Sequence, residues 1–258
     1  MQEVPSAADV VLADLLDAPT GGAQVVVATR LAAYARCGDV LVGLLAPAAV
    51  RVPGSLVVPP RLVEALRPGD ELLVGGGSVV AGGMRLAVGR WWDSAVPRLR
   101  PLPPPPVLPA PEEVPDAVAA GARVLREAIA DGGDVRDAVR HLVGLGPGLT
   151  PAGDDVVAGI LVALVAAGNR ERAGVVLDGV RPCRQRTTAL SAALLDHAAA
   201  GRAVPQLARY LQAPADPAVL AGLLAVGGTS GAALALGAGI GLSAAAARMT
   251  SPADREVA

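Results

Sequence analysis

The chain has 258 residues, a formal net charge of −2 and a mean hydropathy of +0.48, enough length for a substantial core in one large domain or two ordinary ones. All 22 basic residues are arginine and Phe is absent, which excludes a Schiff-base lysine and a phosphate-loop lysine. No basic block with interleaved aromatics is present, so no electrostatic footprint for nucleic acid exists.

Cys37 and Cys183 lie far apart without metal-type spacing. They are expected to be ordinary thiols in a reducing compartment. The N-terminus lacks a basic n-region followed by an apolar h-region, so the expectation is a cytoplasmic protein without a signal peptide.

In chain order, Ser6 to Asp17 carries a Ser cap, an acidic first turn at Asp9 and apolar positions 11, 12, 15 and 16, which predicts a short surface helix. Short Val/Leu-rich runs follow at 24–31, 39–45, 55–58, 71–74, 78–80 and 84–88, separated by Gly, Pro and Asp turns. They predict a small, mostly antiparallel sheet or barrel, with a helical turn or two at 60–66. Residues 97–115 then hold nine prolines, which predicts an extended polyproline II spacer.

Beyond it the period turns helical. Val118, Gly121, Val124, Leu125, Ala128 and Ile129 form one stripe, and Asp134 to Val143 forms the next helix. An apolar run from Val156 to Ala167 predicts a buried helix, with Thr150 as N-cap and Pro151 at N1. Further helices are expected at 170–180, 185–200, 204–211, 218–226 and 229–248. Residues 218–247 carry no charge, but seven glycines interrupt the run. Two close-packed buried helices broken at Gly227-Gly228 fit this better than a membrane span. The fold class is α+β: a mostly-β small barrel or sheet domain at 1–96, a proline-rich linker at 97–115 and an all-α domain at 116–258.

Three stretches bear on chemistry. The first is Gly144-Leu-Gly-Pro-Gly-Leu-Thr-Pro-Ala-Gly-Asp-Asp155. Gly146, Gly148, Thr150 and Gly153 put backbone amides at a helix start, where the dipole favours an anion. Close packing is an equally good reason for such glycines. Asp154 and Asp155 would repel a bare anion, so a bridging divalent metal such as Mg or a substrate with amide N–H donors fits them better. Neighbours on a helix point about 100° apart, so one carboxylate reaches the site while the other caps or pairs.

The second stretch is Arg184 to Ser191. Arg186 has the fork for a carboxylate or phosphate, and Thr187, Thr188 and Ser191 offer hydroxyls; taken alone, Thr capping with solvated arginines explains them better than a site does. The third, Gly227 to Gly231 with Gly228, Thr229, Ser230 and Gly231, repeats the physics of the first. His141 and His197 are the only histidines, and His141 precedes the glycine loop by three residues.

These three motifs, in this order and spacing, resemble the family that includes a subunit of bacterial oxamate carbamoyltransferase, and the likeness spans most of 116–245. The resemblance implies ureide (allantoin) degradation within purine catabolism: phosphorolysis of oxalurate to oxamate and carbamoyl phosphate by a multi-subunit enzyme. It implies partner subunits, with a homo-oligomer as the alternative, and a small anionic metabolite as ligand; the glycine-interrupted run at 218–247 separately argues against a membrane partner. Relatives commonly carry His where Gly228 stands and an acid near Ala232 to Leu234. The resemblance assigns no residue roles; the chemistry of the residues themselves gives an expected site that uses Asp154, Asp155 and Arg186 for chemistry and the glycines and hydroxyls for binding. A non-catalytic metabolite-binding or structural subunit, and an amide- or phosphate-handling enzyme of another pathway, remain open alternatives.

Overall fold

A computed structural model describes residues 1–131 and 133–249. The chain forms two compact units, Met1–Ser94 and a second beginning at Ala95.

The first unit is a closed eight-stranded barrel. Its strands are β1 (Gln2–Asp9), β2 (Gly21–Ala28), β3 (Ala32–Cys37), β4 (Val40–Leu45), β5 (Ser55–Val57), β6 (Glu71–Gly75), β7 (Ser78–Ala81) and β8 (Met84–Trp92). They follow one another around the wall in the order β1-β5-β4-β3-β2-β6-β7-β8. The barrel closes where β8 pairs parallel with β1; β4 and β5 are also parallel, and the other pairs are antiparallel. Closure removes the exposed edges that an open sheet of this size would present. Alternate residues such as Ala8, Val25, Ala33, Val42, Leu44, Leu56, Val79 and Leu86 fill the interior. Small aliphatic side chains suffice for a barrel this narrow, which is how a chain without Phe fills it.

The structure corrects the expected helix at 6–17. Ser6 to Asp9 continue β1, and the helical part is a 3-10 turn at Val10–Leu12 followed by α1 (Ala13–Asp17). The buried Asp9 supplies the cap: its carboxylate accepts from Val11 N at 3.4 Å and from Gly54 N at 3.0 Å. The expected turn at 60–66 is α2 (Pro60–Ala65).

The second unit is helical: α3 (Asp116–Asp131), α4 (Val135–Leu142), α5 (Ala152–Ala166), α6 (Arg170–Val180), α7 (Ala189–Ala199), α8 (Pro205–Gln212), α9 (Pro217–Leu224) and α10 (Ser230–Met249). On α3 the buried stripe is Val118, Ala122, Leu125 and Ile129, and Val124, expected on that face, is exposed. The proline-rich stretch belongs to this unit. Val96 N donates to Gly201 O, Leu99 N to Ala166 O and Val107 N to Pro214 O, while the Tyr210 hydroxyl donates to Val107 O at 2.8 Å. It is a strap on the helices, whereas the sequence alone predicts a spacer.

The central pair is α5 and α10. A Cβ on Gly159 would strike Leu234 O, one on Gly237 would strike Val156 O, and one on Gly241 would meet Ile160 O at 2.9 Å. Backbone therefore lies against backbone, which only glycine permits. The contacts Val156 to Gly237 and Ile160 to Gly241 advance in the same direction on both chains, so the two helices run parallel. Helix α10 is long and apolar enough to cross a membrane by composition, but most of that window is buried inside the helical unit.

Candidate functional site

Parallel packing of α5 and α10 brings their N-terminal ends side by side. Each end carries about +0.5 of an elementary charge and unpaired amide donors. The first turn of α5 answers with Asp154 and Asp155, both buried.

Helix α5 starts one residue later than the sequence predicts. Pro151 occupies the N-cap position and offers no side-chain cap. Thr150 is thereby released from capping, and its hydroxyl lies 3.0 Å from that of Ser230 at the head of α10. The loop before it turns on Gly144, Gly146 and Gly148, with φ of 79°, 116° and 96°.

Asp154 is fully committed to structure. Its Oδ1 accepts from Gly144 N at 2.8 Å, and its Oδ2 accepts from the Ser191 hydroxyl at 2.7 Å and from the Thr187 hydroxyl. One carboxylate thus ties the start of the glycine loop to the start of α7. Thr188 adds a second tie: it caps α7 by accepting from Ser191 N at 3.0 Å and donates to Leu149 O at 2.5 Å.

Asp155, also buried, differs in its partners. Its Oδ2 is buried and, among the described residues, has no hydrogen-bond partner. Burial pushes its carboxyl up to about 8; the Ser230 hydroxyl pulls it down, Asp154 beside it pushes it up, and the Thr150 hydroxyl pulls it down. Desolvation wins because both neighbouring hydroxyls are neutral and cannot replace the water a carboxylate loses. A carboxyl in this state holds a proton near neutral pH and has an oxygen with no internal partner.

The other expected residues divide into rim and frame. Gly146, Gly148, Gly228 and Thr229 are exposed around the cluster. Gly153 and Gly231 are buried; their amides donate to Leu145 O and Val226 O, and a Cβ on either would strike Leu142 O or Leu223 O. The structure places Arg186 and Thr187 before α7, in and just after a 3-10 segment at Arg181–Arg186, so the helix expected from 185 begins at Ala189. The Arg186 guanidinium donates to Arg140 O at 2.9 Å and contacts the Cys183 sulfur at 3.7 Å. His141, exposed, contacts Asp137 on its own helix, its Nδ1 2.9 Å from Asp137 O.

Among the described residues no group of three or more His, Cys, Asp or Glu is clustered as a metal ligand set. The division of labour between the paired aspartates was open in the sequence. Nothing in the motif says which of them meets Thr187 and Ser191.

The structure thus links all three motifs within the helical unit through side-chain hydrogen bonds. Residues 142–242, which contain them, match the family model described as oxamate carbamoyltransferase subunit AllH. No curated protein matches the chain, and no solved structure does.

Proposed function

We propose, for a chain whose residues 142–242 match the model of the oxamate carbamoyltransferase subunit AllH family, that the paired heads of α5 and α10 bind a small anionic amide, with Asp155 as the proton-handling group. The observation that carries this is the buried, unpartnered Asp155 oxygen at two adjacent helix N-termini. An anion is favoured there by both dipoles once Asp155 is neutral. An amide group supplies what the orphan oxygen needs, an N–H donor when Asp155 is ionised and a carbonyl acceptor when it is protonated.

The family resemblance supplies the reaction class. In phosphorolysis of an oxalurate-like ureide, a phosphate oxygen attacks the carbamoyl carbon and the C–O bond forms. The bond from that carbon to the oxamate nitrogen breaks, the electron pair passes to the nitrogen, and a proton must follow it. Asp155, neutral near pH 7, is poised to give that proton. Asp154 takes no part in transfer; it positions the loop and α7. A non-catalytic, metabolite-binding subunit is the second reading, favoured by Gly228, which stands open where relatives commonly carry His.

Calorimetric titration with oxamate tests the binding claim. Saturable binding is expected for the native chain, weakened at least tenfold when Ser230→Val and Thr150→Val remove the two hydroxyls. Absence of saturable binding by native protein, or equal affinity in the variants, contradicts it.

A further inference from the structure

A recess lies on the outer wall of the barrel and is lined only by residues of that unit. It crosses β1, β5 and β8 and has a volume of about 480 Å³, within the range of small-molecule pockets. A register slip creates it. Ser6 pairs with Val88 and Ala7 with Arg90, so Gly89 is left over as a bulge. Gly89 has no side chain, and a Cβ built there would meet nothing within 4 Å. Ala7 and Val57 complete a small apolar floor.

The walls are of a different chemistry. The chain contains four aromatic residues, two Tyr and two Trp, and both tryptophans line this recess. Trp91 is 46 % exposed, which core packing does not explain. The Arg51 guanidinium carbon sits 5.5 Å from the centre of the Trp92 ring. That contact holds the guanidinium carbon near the indole, and a cation–π contact of this kind does not consume the N–H donors of the fork. Arg90 provides a second positive charge, no Asp or Glu lines the recess, and among the described residues neither arginine is in an ion pair.

We propose that this recess binds a small planar carboxylate, its flat body against the indoles and its carboxylate on Arg51 and Arg90. A guanidinium fork matches a carboxylate in two parallel hydrogen bonds, and an indole face selects planar molecules over tetrahedral ones. The small floor at Ala7, Val57 and the Gly89 bulge admits a ring or conjugated chain lying flat. The site is independent of the Asp155 cluster and stands or falls separately.

Since both tryptophans are here, intrinsic emission reports on this recess alone. The experiment is a titration of the full chain with benzoate, excited at the red edge of indole absorption, with benzamide as neutral isostere and inorganic phosphate as non-planar anion. Saturable change with benzoate and none with benzamide or phosphate is expected. The benzoate affinity should fall about tenfold in Arg51→Gln and in Arg90→Gln. Gly89→Val, which fills the floor and leaves both arginines, should abolish it, while Asp155→Asn leaves it unchanged. A response to benzamide equal to that for benzoate, saturation by phosphate alone, no saturation at all, or unaltered affinity in Arg51→Gln, Arg90→Gln and Gly89→Val overturns the proposal. Calorimetry with the same probes on the native chain gives a second readout that does not depend on either fluorophore, and absence of saturable benzoate heat there also overturns the proposal.

Discussion

The hydroxyl oxygens of Thr150 and Ser230, 80 positions apart in the chain, meet at 3.0 Å. They meet because α5 and α10 pack in parallel through Gly159, Gly237 and Gly241, so that the heads of both helices share one end of the helical unit. Both hydroxyls lower the proton affinity of Asp155. Replacing either, as Thr150→Val or Ser230→Ala, should therefore move the Asp155 carboxyl further above about 8. A carbon-detected NMR titration of that carboxyl checks this; an unchanged or lowered value in both variants counts against the arrangement.

Asp154 gathers three donors from two other segments. Asp154→Ala leaves Gly144 N and two hydroxyls without their acceptor, and should cost roughly 3 kcal/mol of stability. Asp154→Asn keeps one acceptor oxygen and lets the hydroxyls turn, so it should cost less than half as much. Urea denaturation of the two variants makes the comparison. Equal losses, or none in the alanine variant, would show that the ties do not hold the loop.

Asp155 shapes the pH dependence of folding. Its folded value of about 8 stands above the ordinary 3.8, so the folded chain holds this proton more tightly than the unfolded chain. Its contribution is fully present below about pH 4 and is lost as pH rises toward 8. Asp155→Asn, neutral throughout, should gain stability relative to the native chain across that window. Parallel stability curves from pH 4 to 8 would remove the raised proton affinity from the account.

Two glycines of the motifs should respond very differently to Ala. Gly144 has φ of +79° and its Cβ would strike Arg186 O, so Gly144→Ala should cost about 2 kcal/mol or more. Gly228 lies in open space without a positive φ, and Gly228→Ala should stay within about 0.5 kcal/mol of native. Thermal denaturation separates them, and a similar shift in both would mean that the loop tolerates rearrangement.

The sequence disclosed the barrel-plus-helices architecture and the three motifs because both rest on local signals. Turn residues bracket the Val/Leu runs, and glycines with hydroxyls mark helix heads. It concealed β1, because Ser6 to Asp9 imitates a capped helix start and only pairing with β8 some eighty residues away makes it a strand. It concealed β3 for a related reason. Ala32–Cys37 is alanine-rich with weak strand preference, and β2 and β4 on either side impose its conformation. At the site, the motif displayed two equivalent carboxylates; the difference between Asp154 and Asp155 arises from Thr187, Ser191 and Ser230, which the fold supplies from other segments.

The central claim is that Asp155, and not Asp154, handles the proton in carbamoyl transfer. The most direct measurement is oxalurate phosphorolysis by this chain, carrying Asp155→Asn, together with the partner subunits that the proposed function requires, with oxalurate binding followed in parallel. The account predicts near-native binding with turnover lowered at least a hundredfold. Native turnover in the Asp155→Asn complex contradicts it.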